Sequence, residues 1–434
     1  MQVIIIAVGG KLLDRLLGIS ILERLLRILQ QAGAGRVLIL TDRPESVAEA
    51  VNRSSRVHLP VTVKPRPSGP LTAEQVLQAW PPLDRPDPTA LILPIGVYDE
   101  PLIHALMASC CPAALIDSRV PARWLPLVRS HPRTDHDRIV TGAVAVDRQT
   151  LEQWSGHWMT AVRTAIESMS IDLVDVASLP DYRPAMRRHI RPYWFGPPSP
   201  PQQELARAVL LDAAQKHVLD LPAAVLHAPV ETAIVRWLVN TRVTPNQVTA
   251  FTNVLAYGAT ALFALGHLVP GLVLALVTGV LDGVDGKLAR VKVETTPAGR
   301  LEHASDFVFE MSWWIAVAWY LVRTGQHANA LGLALLFVAA ELAIKALRLI
   351  AYRTTGRSLD DLSPLDRALR AITGRRNVYV WVFGTAMVLT TPARAFTMVI
   401  CWALASLAIH LIRVARIVWS VRWSSAGTAR FRPE

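Results

Sequence analysis

The chain has 434 residues, 52% of them hydrophobic, and a formal net charge of +11. That length allows two or three domains, and a mean hydropathy of +0.31 is too high for a wholly soluble chain of ordinary composition. A pI near 10.0 would suggest nucleic acid in a soluble protein, but many of the Lys and Arg residues stand between apolar runs, where the positive-inside bias accounts for them and removes nucleic acid as a partner.

The three cysteines, Cys110, Cys111 and Cys401, include one adjacent pair and one residue inside an apolar run. They predict reduced thiols and no disulfide framework. The opening MQVIIIAVGG is a short strand, too short for a signal peptide. Residues 1–195 alternate β-like runs (VIIIAV, RVLILTD, VTV, ALILPIGV, AALID, IVTGAVAV, IDLVDV) with helical stretches. ISILERLLRILQQAGAG has apolar residues at i, i+3 and i+4 spacing and ends in Gly, which reads as an amphipathic helix. The pattern predicts an α/β Rossmann-like domain with a mainly parallel sheet.

The proline-rich WFGPPSPPQQ, Trp194 to Gln203, reads as a break, so residues 196–242 are expected to be linker and juxtamembrane helices. The helix from Val230 to Asn240 carries Ile234, Trp237 and Leu238 on one face. It suits either a membrane surface or packing on protein. Residues 243–422 hold six apolar segments, roughly 247–266, 268–289, 302–322, 328–350, 377–392 and 396–418, which predict an all-α six-helix transmembrane domain. Basic residues concentrate in the loops 287–300 and 351–376 and in the tail 423–434, and are sparse in the other loops. The asymmetry places both termini and one set of loops in the cytoplasm.

One of those cytoplasmic edges reads LDGVDGKLAR. Asp282 and Asp285 are three apart and share a helix face. Two like charges beside lipid need a positive partner. A hard divalent cation held by carboxylate oxygens, Mg²⁺ or Mn²⁺, meets that need. Gly283 and Gly286 would let a phosphate or nucleotide approach the backbone. Downstream, Glu302, Asp306 and Glu310 recur every four residues on one face. With the first pair they could hold two ions for an in-line displacement at phosphorus, one carboxylate serving as general base.

The run Asp282, Asp285, Gly286, Ala289, Arg290 spells DxxDGxxAR and resembles the CDP-alcohol phosphotransferase family, as does TPNQVT from Thr244 to Thr249. The resemblance covers about residues 230–420. The family's later G, D and D positions fall, counted strictly, on Gly299, His303 and Phe307. A shift of one residue puts Glu302 and Asp306 in register, and a Phe can neither ligate nor act as a base. The resemblance implies transfer of a substituted phosphoryl group from a CDP-alcohol donor to a hydroxyl acceptor, with release of CMP. It implies metal on Asp282, Asp285, Glu302 and Asp306, with His303 the alternative ligand, and Asp306 as catalytic base. Nucleotide would be held by Asn246, Thr249, Gly286, Lys287, Ala289 and Arg290. An acceptor phosphate would be held by Arg375 and Arg376. It also implies a homodimer in the cell membrane.

Residues 1–180 resemble sugar-phosphate nucleotidyltransferases through LLGISILERLLRILQQAGAGRVLIL, TGAVAVDR and VDVASLPDY. The chemistry is altered: AVGGKLLDRL stands for the glycine-rich loop, no Asp follows LILP until Asp99, Ala177 stands where a second metal-binding Asp is usual, and Lys64 is the nearest nucleotide lysine. Fusions of this kind include enzymes that make and use CDP-inositol. The expectation is a degenerate domain on an active membrane enzyme. The alternatives are a bifunctional cytidylyltransferase/phosphotransferase and a non-catalytic membrane binding protein.

Overall fold

The computed structural model describes residues 1–7, 10–66, 71–80, 89–294 and 299–428. The chain divides into two units. One comprises Met1–Tyr182, His189–Ala214 and Val291–Glu294; the other comprises Arg183–Arg188, Gln215–Arg290 and Thr295–Glu434.

In the first unit seven strands form one mixed sheet. They are β1 (Gln2–Ala7), β2 (Arg36–Thr41), β3 (Val61–Pro65), β4 (Thr89–Pro94), β5 (Ala113–Asp117), β6 (Ile139–Asp147) and β7 (Asp172–Asp175). Their order is β7-β5-β6-β4-β1-β2-β3. β1 pairs in parallel with β2 and β4, whereas β6 runs antiparallel to both β4 and β5. All six residues of β1 are buried, the pattern of a central strand covered on both faces. The helix α1 (Ile21–Gln31) starts where Ser20 accepts a hydrogen bond from the Glu23 amide, 3.1 Å away. Ile4, Ile6, Leu38, Leu40, Ile92, Ile116 and Val144 belong to one buried core cluster. The proline-rich stretch, expected as the linker, lies inside this unit: Trp194–Phe195 pairs with Val97–Tyr98, so its prolines end a strand rather than separate the units.

The second unit is helical. Leu221, Val225, Val230 and Trp237, in and before α2 (Ala228–Leu238), are exposed, while His227 and Glu231 are buried. The buried side also holds Val235 and Leu238, so Leu238 faces inward while Trp237 faces outward, and the exposed apolar residues suit a membrane surface. There follow α3 (Pro245–Leu265), α4 (Leu268–Val291), α5 (Gly299–Arg323), α6 (Ala330–Thr355), α7 (Pro364–Ile372), α8 (Arg376–Leu389) and α9 (Pro392–Thr428). Each of the six apolar segments thus forms a helix. Among the described residues four helices meet the length and apolarity needed to cross a membrane: Pro245–Leu265, Leu268–Val291, Ala330–Thr355 and Pro392–Val421. At 14 residues α8 falls short of the ~20 that span a bilayer. Phe263, Trp313, Trp314, Phe337, Tyr379, Phe383 and Phe396 build the aromatic centre of the bundle. Val254, Val269, Leu335, Val388 and Trp402 are exposed large apolar residues, as lipid-facing surfaces require.

Candidate active site

Thr244 starts α3 with a capping box: its hydroxyl accepts from the Gln247 amide, and the Gln247 side chain accepts from the Thr244 amide. That start sets the register of the next turns. Thr249 Oγ1 then donates to Asp285 Oδ2 at 2.7 Å. The other oxygen of Asp285 accepts from the Gly286 amide at 2.5 Å. Asp285 is buried, so these charge-assisted bonds hold its carboxylate in one orientation. Asp282, one turn earlier on the same face, is half-exposed and accepts from Arg376 Nη2 at 2.5 Å. Arg376 heads α8, and its charge also faces Asp306 and Glu310 of α5. Asp282, Asp306 and Arg376 are therefore gathered from three helices, and Asp306 is half-buried. The side chains of Glu302 and His303 lie outside the described residues.

Among the described residues no three carboxylate, imidazole or thiol groups form a metal-holding cluster. The donor chemistry nonetheless fits a hard divalent ion. Asp282 and Asp285 offer only carboxylate oxygens, and the charge of Asp282 is balanced here by a guanidinium. Among the described residues the buried Arg376 Nε has no hydrogen-bond partner, while its Nη2 is held by Asp282.

The glycines of the motif do different things. A Cβ on Gly283 would collide with the carboxylate of Glu231 from α2. A Cβ on Gly286 would lie 3.2 Å from the Arg290 guanidinium. Gly283 thus makes room for a protein side chain, not only for a ligand. Glu231 is a site residue that sequence reasoning missed. Burial pushes its carboxyl up to about 7, Asp282 adds to the rise, and Lys287 and Arg290 oppose it. Its only sequence signal is an acid amid the apolar residues of α2.

Lys287 is buried and turned toward the protein. Its Nζ donates to Gln215 Oε1 at 2.5 Å and Thr232 Oγ1 at 2.6 Å. Asn246 is exposed on the first turn of α3, and Ala289 is half-buried on α4. Arg375 is engaged elsewhere: it and Arg370 donate to Asp360, a buried acid that the sequence reading did not single out. Burial alone would raise the Asp360 carboxyl, yet Arg375, Arg348, Arg370 and Arg187 together hold it well below the usual carboxylate range.

Acidic groups facing an arginine among long apolar helices mark a candidate functional site. Residues 242–372 match the family model described as CDP-alcohol phosphatidyltransferase, and the chain carries a domain of that family, which implies phosphotransfer. The match includes Thr249, Asp282, Asp285 and Asp306 and ends before Arg375. No curated protein matches the sequence. Among solved structures the chain is similar to phosphatidylinositol phosphate synthase from Mycobacterium tuberculosis, solved with CDP-DAG bound. That likeness has 17% identity and a TM-score of 0.35 over 43% of this chain and 94% of that one. HddC from Yersinia pseudotuberculosis shows 14% identity and a TM-score of 0.36 over 48% of this chain and 98% of its own. The inositol-1-phosphate CTP transferase of T. maritima shows 13% identity and a TM-score of 0.35 over 48% and 95%.

Proposed function

We propose that this protein is a divalent-metal-dependent CDP-alcohol phosphotransferase. It joins a substituted phosphoryl group from a CDP-alcohol to the hydroxyl of a second alcohol and releases CMP, in the synthesis of a phospholipid or polar head group. The observation that carries the reading is the convergence of Asp282, Asp306 and Arg376 from three helices, with Asp285 fixed by Thr249. Asp282, Asp285, Glu302 and Asp306 would hold Mg²⁺ or Mn²⁺, with His303 the alternative ligand. The ions would supply charge neutralisation on the pyrophosphate.

Asp306 takes the proton of the acceptor hydroxyl. The acceptor oxygen bonds to the phosphorus that carries the alcohol, and the bridge oxygen leaves with CMP. Arg290, beside Gly286, lies where it can meet phosphate oxygens. Thr249 acts through Asp285, and Lys287 braces α4 against α2 rather than reaching substrate. Arg375, with the guanidinium cluster around Asp360, offers the acceptor phosphate its charge. The active site is read as cytoplasmic, the membrane as the cell membrane and the assembly as a homodimer.

The test is CMP release by the purified chain in micelles with Mg²⁺ or Mn²⁺ and a panel of CDP-alcohols and acceptors. Asp306→Asn is expected to lower release at least ~100-fold. Equal release by wild type and variant removes Asp306 as base, and no release from any donor leaves the binding-protein reading. A second reading, in which the first unit also makes the CDP-alcohol, is suggested by the resemblance of residues 1–180 to sugar-phosphate nucleotidyltransferases. Opposing it, Lys64 Nζ is bonded to the Ala79 carbonyl at 3.2 Å, and the Asp175 carboxylate is bonded to Ser118 and Ala177.

A further inference from the structure

Gly279, Gly283 and Gly286 share one face of α4 at four- and three-residue spacing, and Arg290 continues that face. What lies over each glycine differs. A Cβ on Gly279 would stand 3.2 Å from the His227 ring and 2.7 Å from Asn377 Oδ1. A Cβ on Gly283 would run into the Glu231 carboxylate. The three atoms nearest a Cβ on Gly286 all belong to the Arg290 guanidinium, at 3.2 to 4.0 Å. His227 and Glu231 thus fill the first two notches, and beside them only the flexible end of Arg290 borders the third.

His227 and Glu231 stand one helical turn apart and are 4% and 7% exposed. Among the described residues no hydrogen bond reaches the Glu231 carboxylate or the buried Nδ1 of His227. Buried polar groups left in this way are rare and costly, so two of them on consecutive turns point to a partner from outside the chain. The charges of Lys287 and Arg290 already face Glu231, which leaves no call for a further cation. A phosphate would be repelled by Glu231 and by the Asp282 charge beside it. Uncharged N–H and O–H groups remain, and an ionised carboxylate, which can only accept, is their complement.

We propose that Glu231 is a nucleoside-binding residue: a nucleotide lying over Gly286 with its phosphates toward Arg290 presents its ribose hydroxyls or its cytosine amine to the Glu231 carboxylate. Positions three apart on a helix face are about 5–6 Å from each other, a step that one nucleoside spans. The proposal rests on the nucleotide reading of Gly286 and Arg290 and adds the residue that reads the uncharged part of the donor.

The experiment follows the thermal unfolding midpoint of the full chain in micelles with Mg²⁺ while CMP, either of its two monodeoxy forms or UMP is titrated in, since a ligand that binds the folded state raises the midpoint. Each deoxy form lacks one ribose hydroxyl and UMP lacks the amine, so the analogue that binds less well identifies the group that meets Glu231. Wild type is expected to need about tenfold more of at least one analogue than of CMP for the same rise, the loss of one charge-assisted contact. In Glu231→Ala that preference should vanish, with CMP falling to the level of the analogue. Glu231→Gln, which keeps one acceptor oxygen, should retain part of it, and is read in place of Glu231→Ala if the latter does not fold. A preference that persists at full size in the variants, or a wild type that binds all four alike, overturns the role of Glu231 and leaves the nucleotide site standing. A wild type that responds to none of the four overturns the nucleotide reading with it.

Discussion

At the residue scale the site turns on small clearances. Gly283 leaves no space for a methyl group beside Glu231, so Gly283→Ala overpacks that contact. The clashing atoms are the far end of a flexible side chain and alanine is the better helix former, so the net loss is expected to stay under about 1 kcal/mol, read as the unfolding midpoint of the full chain in micelles. Glu231→Ala on the same background should recover most of it, since the clash is with that one side chain. If Glu231→Ala shifts the midpoint of Gly283→Ala no more than that of wild type, the contact is not made. Thr249→Val removes the hydroxyl on Asp285 without changing shape. CMP release is expected to fall about tenfold, the weight of one hydrogen bond to a charged group, and the midpoint to drop by the equivalent of about 1–3 kcal/mol as the buried Asp285 oxygen loses its donor. Asp282 and Asp285 were legible because three-residue spacing on a helix defines a shared face. Glu231 and Asp360 were not: each reaches its partners from a different element, and no local pattern encodes such an encounter.

At the element scale, helix starts and short ladders set where side chains arrive. Thr244→Ala removes the cap of α3 and should cost about 1 kcal/mol, measured as the shift of the unfolding midpoint. In the first unit, His131 stands edge-on to Trp194, ring centroids 4.8 Å apart, beside the ladder of Trp194–Phe195 with Val97–Tyr98. Burial pushes its imidazole below the ordinary value of 6.5, and the nearby Val128 backbone only partly offsets this. The folded unit therefore binds fewer protons than the unfolded chain below 6.5, so stability falls as pH drops through that value. Unfolding midpoints between about pH 7.5 and 5.5 should decline in wild type and flatten in His131→Gln. An unchanged slope would remove His131 as the cause. The parallel strands and α1 could be read from apolar runs and 3.6-residue periodicity. The antiparallel placement of β6 could not, because a buried run is apolar in either direction.

At the scale of the whole molecule, the basic loops and apolar helices predict an even number of crossings with both termini on the cytoplasmic side. Tags at the two ends should share one accessibility in sealed vesicles, and digestion of only one by an external protease would break that topology. The first unit bears on whether the chain has one activity or two. With Lys64 and Asp175 engaged by the protein, the full chain with CTP and a panel of polyol phosphates is expected to release no pyrophosphate. Sustained release would establish the two-activity reading.

The sequence by itself determined the class of each half. Periodicity and apolar run length depend only on neighbours along the chain, and DxxDGxxAR is a local spelling whose geometry follows from one helix. Tertiary structure decided which charges meet. It turned Lys287 onto Gln215 and Thr232, set Glu231 in the space of Gly283, paired Arg376 with Asp282, and sent Arg375 to Asp360. The physical reason is that charges removed from water must find partners, and the nearest partner in space is set by how helices pack.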